Sequence, residues 1–358
     1  MEPVNWIAFG IALMASLLLT WPVRQFALYV GFVDHPDARK VHLRPMPLLG
    51  GVAIYAGFVL AAIATAESSL HHEVLAIVSG ATLLVITGIL DDGGFLHHQI
   101  KLFVSMPLAA SMLVVAGVHA HIFSQILGRS GRVPDVLLTV LWVVGITAAF
   151  SILDHMDGLC AGIAAVASAF FAVAAALNGQ ATVCTLAAAV LGASLGFLRW
   201  NFAPAKIFMG DGGAMLLGFL MATLGLKLRF ASHPAGDCFV PVLILAVPIF
   251  DTTLITISRS RRGLLPFASP GKDHTAHRLS NLGLGRKKAV LALYATACLC
   301  GMAGILIPYV SNAVKGLVLF VMFLGAAFAI LALERAPYED QRDVFVSASV
   351  PPSVPHSD

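Results

Sequence analysis

Long apolar runs dominate the chain and limit what it can fold into. Eleven continuous stretches approach the ~20 residues that a helix needs to cross a hydrocarbon layer. Of the 358 residues, 58% are hydrophobic and only 11% are charged, which leaves too little polar surface to cover a water-soluble globule. Because the runs are continuous rather than alternating, they favour helices over strands. The sequence therefore predicts an all-α, polytopic integral membrane protein with spans near 7–21, 49–66, 74–90, 102–118, 136–152, 159–177, 181–198, 214–228, 239–257, 289–308 and 313–333.

Neither the two ends of the chain nor the cysteines indicate a catalytic or metal-binding site. Glu2 is the only charge before the first run, and Trp21-Pro22 replaces a small-residue cleavage site, so we expect this run to be retained. The five cysteines lie in or beside apolar runs without zinc-like spacing and are expected to be core residues. We predict a single transmembrane domain at 1–335, followed by a disordered cytoplasmic tail at 336–358 that contains Pro, Ser and charged residues.

Basic and acidic residues divide between the two sides in the same way. If the chain crosses eleven times, 17 of the 22 Lys and Arg residues fall on one side and 5 on the other. The positive-inside rule makes the first side cytoplasmic, with the N-terminus outside and the tail inside. We therefore expect a multi-pass protein of the inner (plasma) membrane with its chemistry on the cytoplasmic face. Apart from those of the tail, nine aspartates belong to that face: Asp34, Asp37, Asp91, Asp92, Asp154, Asp157, Asp211, Asp251 and Asp273.

The adjacent Asp91 and Asp92 end an apolar run in GILDDGGFLHHQIKL. A helix end that meets water is one explanation of such a pair. Neighbouring carboxylates repel, however, and are usually kept together by a cation. Hard oxygen ligands suit Mg²⁺, which typically binds one or two carboxylates and completes its shell with water and substrate phosphate. The pair therefore predicts a magnesium site.

A second acidic segment, SILDHMDGLCAG, separates two apolar runs. Asp154 and Asp157 are three residues apart, so in a helical segment both would project from one face. Alternatively, they cap the helix that follows. His155, between them, is a candidate for contact with a phosphate or a metal ion, although a histidine at a helix end is more often simply solvated.

A third segment, NFAPAKIFMGDGG, leads into the eighth apolar run. Gly210, Gly212 and Gly213 let the backbone approach a ligand closely, and a helix N-terminus beside them favours anionic oxygens. Asp211 in that position opposes an anion unless a divalent metal ion lies between them. The segment therefore adds a carboxylate to the predicted metal site.

The last candidate segment is the loop at 259–288, with eight Lys or Arg residues and two histidines. For the arginines at 259–262 the pattern favours a positive-inside anchor or a contact with anionic lipid. For His274, His277 and Arg278 it favours phosphate binding, because the histidines are three positions apart and arginine adds a fork-shaped donor. Carboxylates, a divalent ion and basic donors at a membrane face together indicate phosphoryl transfer on a lipid substrate.

These segments resemble the motifs of the polyprenyl-phosphate N-acetylhexosamine-1-phosphate transferase family. DHPDARKVHLRPMPLLGG looks like the family's first cytoplasmic motif, and GILDD followed by Lys101 looks like its aspartate-pair motif. SILDHMDGL is similar to N-L-x-D-G-x-D-G-L, and NFAPAKIFMGDGG to N-x-x-P-A-x-x-F-M-G-D-x-G. DHTAHRL resembles the histidine motif of the WecA- and TagO-like branch rather than the H-H-H-x-E form of the related MraY branch.

The resemblance implies transfer of N-acetylhexosamine 1-phosphate, by analogy GlcNAc 1-phosphate, from a UDP-sugar to polyprenyl (undecaprenyl) phosphate. The products would be polyprenyl-diphosphate-sugar and UMP, at the start of cell-envelope glycan synthesis. The implied partners are a UDP-amino sugar and a polyprenyl phosphate in the membrane, with no nucleic acid, and the oligomeric state, including a homodimer, stays open. The implied cofactor is Mg²⁺, with Mn²⁺ as an alternative.

The resemblance also implies roles for individual residues. Asp92 and Asp211 would hold the metal, and Asp91 would act as base or orient the lipid phosphate. Asp154 and Asp157 would support the metal or the nucleotide. Substrate binding would involve Lys40, His42, Ser151, Asn201, His274, His277 and Arg278.

This chain departs from the family pattern at several positions. Ala148 and Ser151 stand where the third motif has asparagines, and His155 replaces its glycine. Ala276 replaces a middle histidine of the last motif. Serine still offers one hydroxyl for hydrogen bonding, and all the carboxylates are present, so we expect an active enzyme.

Two alternatives remain. One is a UDP-MurNAc-pentapeptide phosphotransferase, which would be expected to have the H-H-H-x-E loop. The other is an ion-coupled secondary transporter, whose aspartates would lie near the middle of the membrane.

Overall fold

The fold is given by a computed structural model, which describes residues 5–35, 45–65, 71–96, 98–230, 238–264 and 271–336. Helices dominate this part of the chain, and a short antiparallel hairpin pairs β1 (Val33–Asp34) with β2 (Met46–Pro47). The predicted tail beyond Ala336 lies outside the described residues. The helices are α1 (Trp6–Tyr29), α2 (Gly50–Ala64), α3 (His71–Asp92), α4 (His98–Ile100), α5 (Met106–Val115), α6 (Ile122–Leu127), α7 (Arg132–Leu153), α8 (Leu159–Leu177), α9 (Ala181–Asn201), α10 (Gly210–Lys227), α11 (Phe239–Ile244), α12 (Ala246–Arg261), α13 (Thr275–Leu279), α14 (Arg286–Leu306) and α15 (Asn312–Glu334).

Each of the eleven apolar runs coincides with helical structure, with two irregularities. The fourth run begins as a π-helical turn, Lys101–Ser105, that continues into α5. The ninth is broken at Leu245 into α11 and α12. Pro248 falls in the first turn of α12, where its missing N–H costs no intrahelical hydrogen bond, so the break places this proline at the start of a helix.

Seven of the described helical segments are long and apolar enough to cross a membrane. Two shorter apolar helices accompany them, at 50–64 and 101–115. The chain is therefore a polytopic α-helical membrane protein. The seven segments are Trp6–Tyr29, His72–Asp92, Ile122–Leu153, Leu159–Leu177, Ala181–Asn201, Arg286–Tyr309 and Asn312–Glu334.

Helix α10 lies at the centre of the bundle. Its side chains are almost all buried, and it packs against α7, α3 and α2. Small residues permit this close packing: a Cβ on Gly88 would collide with the backbone of Gly212, and one on Gly51 with the backbone of Gly213. Such contacts between small residues are a common way for membrane helices to approach each other. By contrast, α15 lies at the periphery and exposes most of its apolar side chains.

Helices α3 and α10 are joined by polar contacts at both ends. Asp92, at the end of α3, contacts Asp211, at the start of α10. At the opposite ends, Glu73 of α3 forms an ion pair with Lys227 of α10. The 22 residues of α3 span about 33 Å at 1.5 Å per residue, close to the thickness of a bilayer core. The two polar contacts therefore mark two opposite faces of the bundle.

A carboxylate-rich candidate active site

Three aspartates and one lysine meet where α3 ends and α10 begins. Nζ of Lys101 lies 2.7 Å from Oδ2 of Asp91 and also forms an ion pair with Oδ2 of Asp211. The main-chain N–H of Asp211 donates a hydrogen bond of 2.9 Å to Oδ2 of Asp92. The structure thus brings together the two aspartates that the sequence predicts as metal ligands, Asp92 and Asp211. It also places the predicted base, Asp91, on the other side of the lysine.

Ser151 faces this group from the last turn of α7. Its hydroxyl donates to Oδ1 of Asp211 over 3.3 Å. The position where the family motif has asparagine therefore still presents a hydrogen-bonding group to the site. Ala148, one turn earlier, is buried, and its methyl side chain has no polar atom to present to the site.

Residues 154–158 form a non-helical turn between α7 and α8. The condition under which Asp154 and Asp157 would share one face of a helix is therefore not met. Burial, together with the negative charges of Asp211 and Asp92, raises the pKa of Asp154 to about 8. A carboxyl group that is so costly to ionise indicates a place where a cation would be stabilised.

Asp157 has a different environment from Asp154. Its Oδ2 accepts a 2.9 Å hydrogen bond from the main-chain N–H of Ala205. The N-cap residue of α8 is Gly158, and no side chain caps this helix. Asp157 therefore does not cap α8, contrary to the alternative that the sequence left open. Asp157 instead connects the 154–158 turn to the loop before α10.

Asn201 is buried between the same two segments. Its Oδ1 accepts from the N–H of Gly158 over 3.0 Å, and its Nδ2 donates to the carbonyl of Ile207 over 3.0 Å. The hydroxyl of Tyr294 in α14 donates to the carbonyl of Gly158. These contacts place Asn201, predicted to bind the nucleotide, where it fixes the loops around the site.

A cluster of histidines lies beside the 154–158 turn. The ring of His155 stacks on that of His274 with 3.9 Å between centroids, and the ring of His277 lies 5.0 Å from that of His155. His155 is therefore packed rather than solvated. Burial and the charge of His274 lower the pKa of His277 to about 4 and hold that of His155 well below its usual value.

Asp251 of α12 supports this cluster. Its Oδ2 lies 3.1 Å from Nδ1 of His274, and its Oδ1 accepts from the N–H of Thr275 over 2.7 Å. The sequence assigned Asp251 to the cytoplasmic face but gave it no role. Lys101 was likewise noticed only as part of the aspartate-pair motif. The contacts of both residues were missed, because a single charged residue beside an apolar run does not indicate which residue it pairs with.

Arg278 does not face the site. It is 0% exposed, and its guanidinium donates to the carbonyls of Asp273 and Leu333 and to the hydroxyl of Ser258, each over 2.7 Å. It also forms an ion pair of 3.1 Å with Glu334. The structure therefore separates Arg278 from His274 and His277, with which the sequence grouped it as a phosphate-binding residue.

The arginines at 259–262 also differ from the expected membrane anchor. Nη2 of Arg259 lies 2.8 Å from Oδ1 of Asp273, and Nη2 of Arg262 lies 2.5 Å from its Oδ2. Arg259 is buried, whereas Arg261 is 66% exposed at its side chain. The anchor interpretation is therefore wrong for Arg259, which stabilises the start of the histidine segment, residues 273–277. Lys40 and His42, predicted to bind substrate, lie outside the described residues.

The donor set around Lys101 fits a divalent ion of the Mg²⁺ or Mn²⁺ type. Asp91, Asp92 and Asp211 supply hard oxygen donors, and Lys101 offsets only part of their charge. Gly210, at φ +70°, lets the start of α10 approach Asp92, because a Cβ there would overlap its Oδ2.

Fold and site together define a polytopic helical membrane protein with a carboxylate-rich site at one face of its bundle. Residues 74–229 match the family described as Glycosyl transferase family 4. The chain belongs to the polyprenyl-phosphate N-acetylhexosamine-1-phosphate transferases of that family, in the WecA- and TagO-like group, which confirms the resemblance seen in the motifs.

Several relatives cover most of the chain. The "Probable undecaprenyl-phosphate N-acetylglucosaminyl 1-phosphate transferase" of Bacillus subtilis (strain 168) is 36% identical over 90% of this chain and 89% of that protein. The "Decaprenyl-phosphate N-acetylglucosaminephosphotransferase" of Mycolicibacterium smegmatis is 33% identical over 79% of this chain and 77% of that protein. The "Undecaprenyl-phosphate alpha-N-acetylglucosaminyl 1-phosphate transferase" of Escherichia coli (strain K12) is 29% identical over 89% of this chain and 88% of that protein.

Proposed function

We propose that this protein transfers N-acetylglucosamine 1-phosphate from UDP-GlcNAc to a polyprenyl phosphate, giving polyprenyl-diphosphate-GlcNAc and UMP. The names of its relatives support the sugar and the lipid acceptor. The observation that supports the chemistry most directly is the meeting of Asp91, Asp92 and Asp211 around Lys101. A carboxylate site at the end of membrane helices suits a reaction between a lipid phosphate and a water-soluble nucleotide.

The reaction needs little help with deprotonation. An oxygen of the lipid phosphate attacks the β-phosphorus of the UDP-sugar, and the bond between that phosphorus and the bridging oxygen breaks as UMP leaves. A phosphate monoester has a second pKa near 6 and is largely dianionic at neutral pH. The main task is therefore to hold two anionic phosphates together and to stabilise charge in the transition state.

The residues of the site divide this task. Asp92 and Asp211 would hold Mg²⁺, which when bound supplies positive charge to the diphosphate. Lys101 adds an ammonium group beside them and fixes the carboxylates of Asp91 and Asp211. Asp91 then orients the lipid phosphate, and Ser151 presents its hydroxyl to the same site.

We further infer that the chain crosses the membrane eleven times, with the N-terminus outside and the site in the cytoplasm. The uneven division of Lys and Arg supports this orientation. The separation of the Asp92–Asp211 contact from the Glu73–Lys227 contact, at opposite ends of α3 and α10, supports two distinct polar faces. Accessibility of single cysteines introduced near Ser124 and Lys287 would test the orientation.

The test of the activity is UMP release by purified protein in detergent with undecaprenyl phosphate, Mg²⁺ and a panel of UDP-sugars that includes UDP-MurNAc-pentapeptide. We expect release with UDP-GlcNAc, lost in Asp92→Asn and after chelation. Glu73→Gln provides a matched control, because it removes a carboxylate from the opposite end of the same helix.

The possible outcomes distinguish the competing functions. Release with UDP-MurNAc-pentapeptide alone would replace the proposed donor. If folded protein releases UMP with none of the UDP-sugars, the transferase function would be contradicted. Ion-driven uptake into proteoliposomes would then test the transporter alternative. Activity that survives in Asp92→Asn and is lost in Glu73→Gln would contradict the assignment of the site.

A further inference from the structure

Three segments bring metal-binding side chains together beside the carboxylate site. His155 lies in the turn after α7, Asp251 in α12, and His274 just before α13. One nitrogen or oxygen atom from each of the three residues lies within 4.8 Å of those from the other two. The motif resemblance implies substrate binding for His274 alone among these three residues, and the transfer reaction proposed above assigns no step to the cluster as a whole.

His155 is oriented as metal-binding histidines commonly are. Its Nδ1 lies 3.2 Å from the carbonyl of Ile152. Because a carbonyl can only accept, Nδ1 bears the hydrogen, and in the neutral ring Nε2 has a lone pair available to a ligand. Among the described residues, Nε2 is buried and has no hydrogen-bond partner. A histidine whose other nitrogen donates to a backbone carbonyl is held in position for a metal ion.

The other two residues are also held in place. Asp251 is 1% exposed and His274 is 7% exposed. The N–H of Thr275 fixes one oxygen of Asp251, and the second oxygen lies 3.1 Å from Nδ1 of His274. A carboxylate with such support can bind a cation with little loss of conformational freedom. The ring of His277 lies next to the group, 5.0 Å from that of His155.

We propose that His155, Asp251 and His274 bind a divalent transition-metal ion of the Zn²⁺ type, at a site separate from Asp92 and Asp211. Two imidazoles and one carboxylate favour Zn²⁺, Co²⁺ or Ni²⁺, whereas Mg²⁺ prefers oxygen ligands alone. Three protein ligands leave a fourth position open. The family motif has glycine at the position of His155. The proposed site therefore depends on a side chain that the motif itself does not provide.

The bound ion would connect parts of the chain that surround the active site. It would join the 154–158 turn, which contains Asp154, to α12 and to the segment before α13. Occupancy would therefore restrict movement of the histidine segment relative to the carboxylates.

The first experiment titrates tag-free purified protein in detergent with Co²⁺ and monitors binding by the visible ligand-field absorption of the ion. The second measures by mass spectrometry how many Zn²⁺ ions each chain binds. The variants are His155→Gly, which restores the family residue, and His155→Gln, which keeps a polar side chain. His121→Ala is the matched control, because His121 belongs to another close histidine pair, with His119 at 4.2 Å between centroids. Asp92→Asn tests independence from the carboxylate site.

We expect one Co²⁺ per chain, with a spectrum typical of low coordination number. Affinity should fall at least tenfold in both His155 variants, since loss of outer-shell partners alone costs about 10–100-fold. It should be unchanged in His121→Ala and Asp92→Asn. Equal binding by wild type and both His155 variants, or no binding by folded wild type, would overturn the proposal. Because metal binding is measured without substrates, either result leaves the transferase proposal to its own test.

Discussion

The main-chain N–H of Asp211 donates a 2.9 Å hydrogen bond to the carboxylate of Asp92. This contact joins the last residue of α3 to the first turn of α10, which has no side-chain cap of its own. A helix N-terminus has unpaired N–H groups and a positive dipole end, so a carboxylate from a neighbouring helix stabilises it. Asp92 therefore has a structural contact besides its proposed role as a metal ligand. Asparagine can preserve that contact, which makes Asp92→Asn a suitable test of the chemistry.

Lys101 should be essential for activity, because it is the ammonium group between Asp91 and Asp211. We expect Lys101→Met to lower kcat for UMP release by about 10²–10³-fold, the usual cost of removing one preorganised electrostatic group. Lys227→Met is the control, since Lys227 pairs with Glu73 at the other end of α10. A kcat indistinguishable from that of the wild type would show that Lys101 is not required.

The contacts of Asn201 favour a positioning role over direct contact with the nucleotide. Asn201→Ala would leave the N–H of Gly158 and the carbonyl of Ile207 without their partner, at a cost of about 1–3 kcal/mol for each buried group. We expect a lower thermal midpoint in detergent, and a smaller decrease for Asn178→Ala, which loses one bond at the end of α8. An unchanged midpoint with a raised KM for UDP-GlcNAc would instead support nucleotide binding.

The sequence predicted most of the helices because continuous apolar runs have one stable solution in a bilayer. It also placed Asp92 and Asp211 in one site, because the family motifs assign both to the metal. It did not predict that Arg278 turns inward to Ser258 and Leu333. An arginine next to histidines has the same local pattern whether its donors face a phosphate or the protein.

The ion pairs within the loop at 259–288 were also not predicted from the sequence. Asp273 lies 14 residues from Arg259, and nothing in the local pattern distinguishes this buried pair from the exposed Arg261. The break at Leu245 and the π-helical turn after Ile100 each lie shortly before a proline, Pro248 and Pro107, but a run of apolar residues does not fix the position of either irregularity. The partners of a buried ion pair depend on how distant segments pack, so a single-sequence pattern does not contain them.

Asp273 should contribute strongly to stability. It is buried and pairs with Arg259 and Arg262, and breaking a buried ion pair from one side costs about 3–5 kcal/mol. We expect a large decrease in the thermal midpoint of Asp273→Asn. Arg261→Gln, which removes a pair of 3.7 Å from an exposed side chain, should change it little, because exposed pairs contribute about 0–1 kcal/mol. Equal effects of the two substitutions would contradict the burial of the Asp273 pair.

The contribution of Asp273 should also disappear in acid. Burial alone would raise the pKa of this carboxyl, but the hydrogen bond and charge of Arg259, with Arg262, hold its pKa below the usual range. A lowered folded-state pKa gives stability that is present above the unfolded value, about 3.9, and is lost as the pH falls through the folded value. The difference in midpoint between wild type and Asp273→Asn should therefore be constant near neutrality and shrink below about pH 4. A difference that grows on acidification would contradict this sign.

Close packing of α3 on α10 gives a prediction about glycine. A Cβ at Gly88 would collide with the backbone of Gly212, which a side-chain movement cannot relieve, so Gly88→Ala should destabilise by about 1–3 kcal/mol. Gly145 is also in the middle of a helix, but a Cβ there meets nothing within 4 Å, and alanine is favoured over glycine in a helix by roughly 0.5–1 kcal/mol. Gly145→Ala should leave the thermal midpoint equal or slightly higher. Because Gly212 directly follows Asp211, Gly88→Ala should also lower UMP release, by displacing the start of α10 from Asp92. Normal activity and stability of Gly88→Ala would mean that the two helices are not in backbone contact at the site.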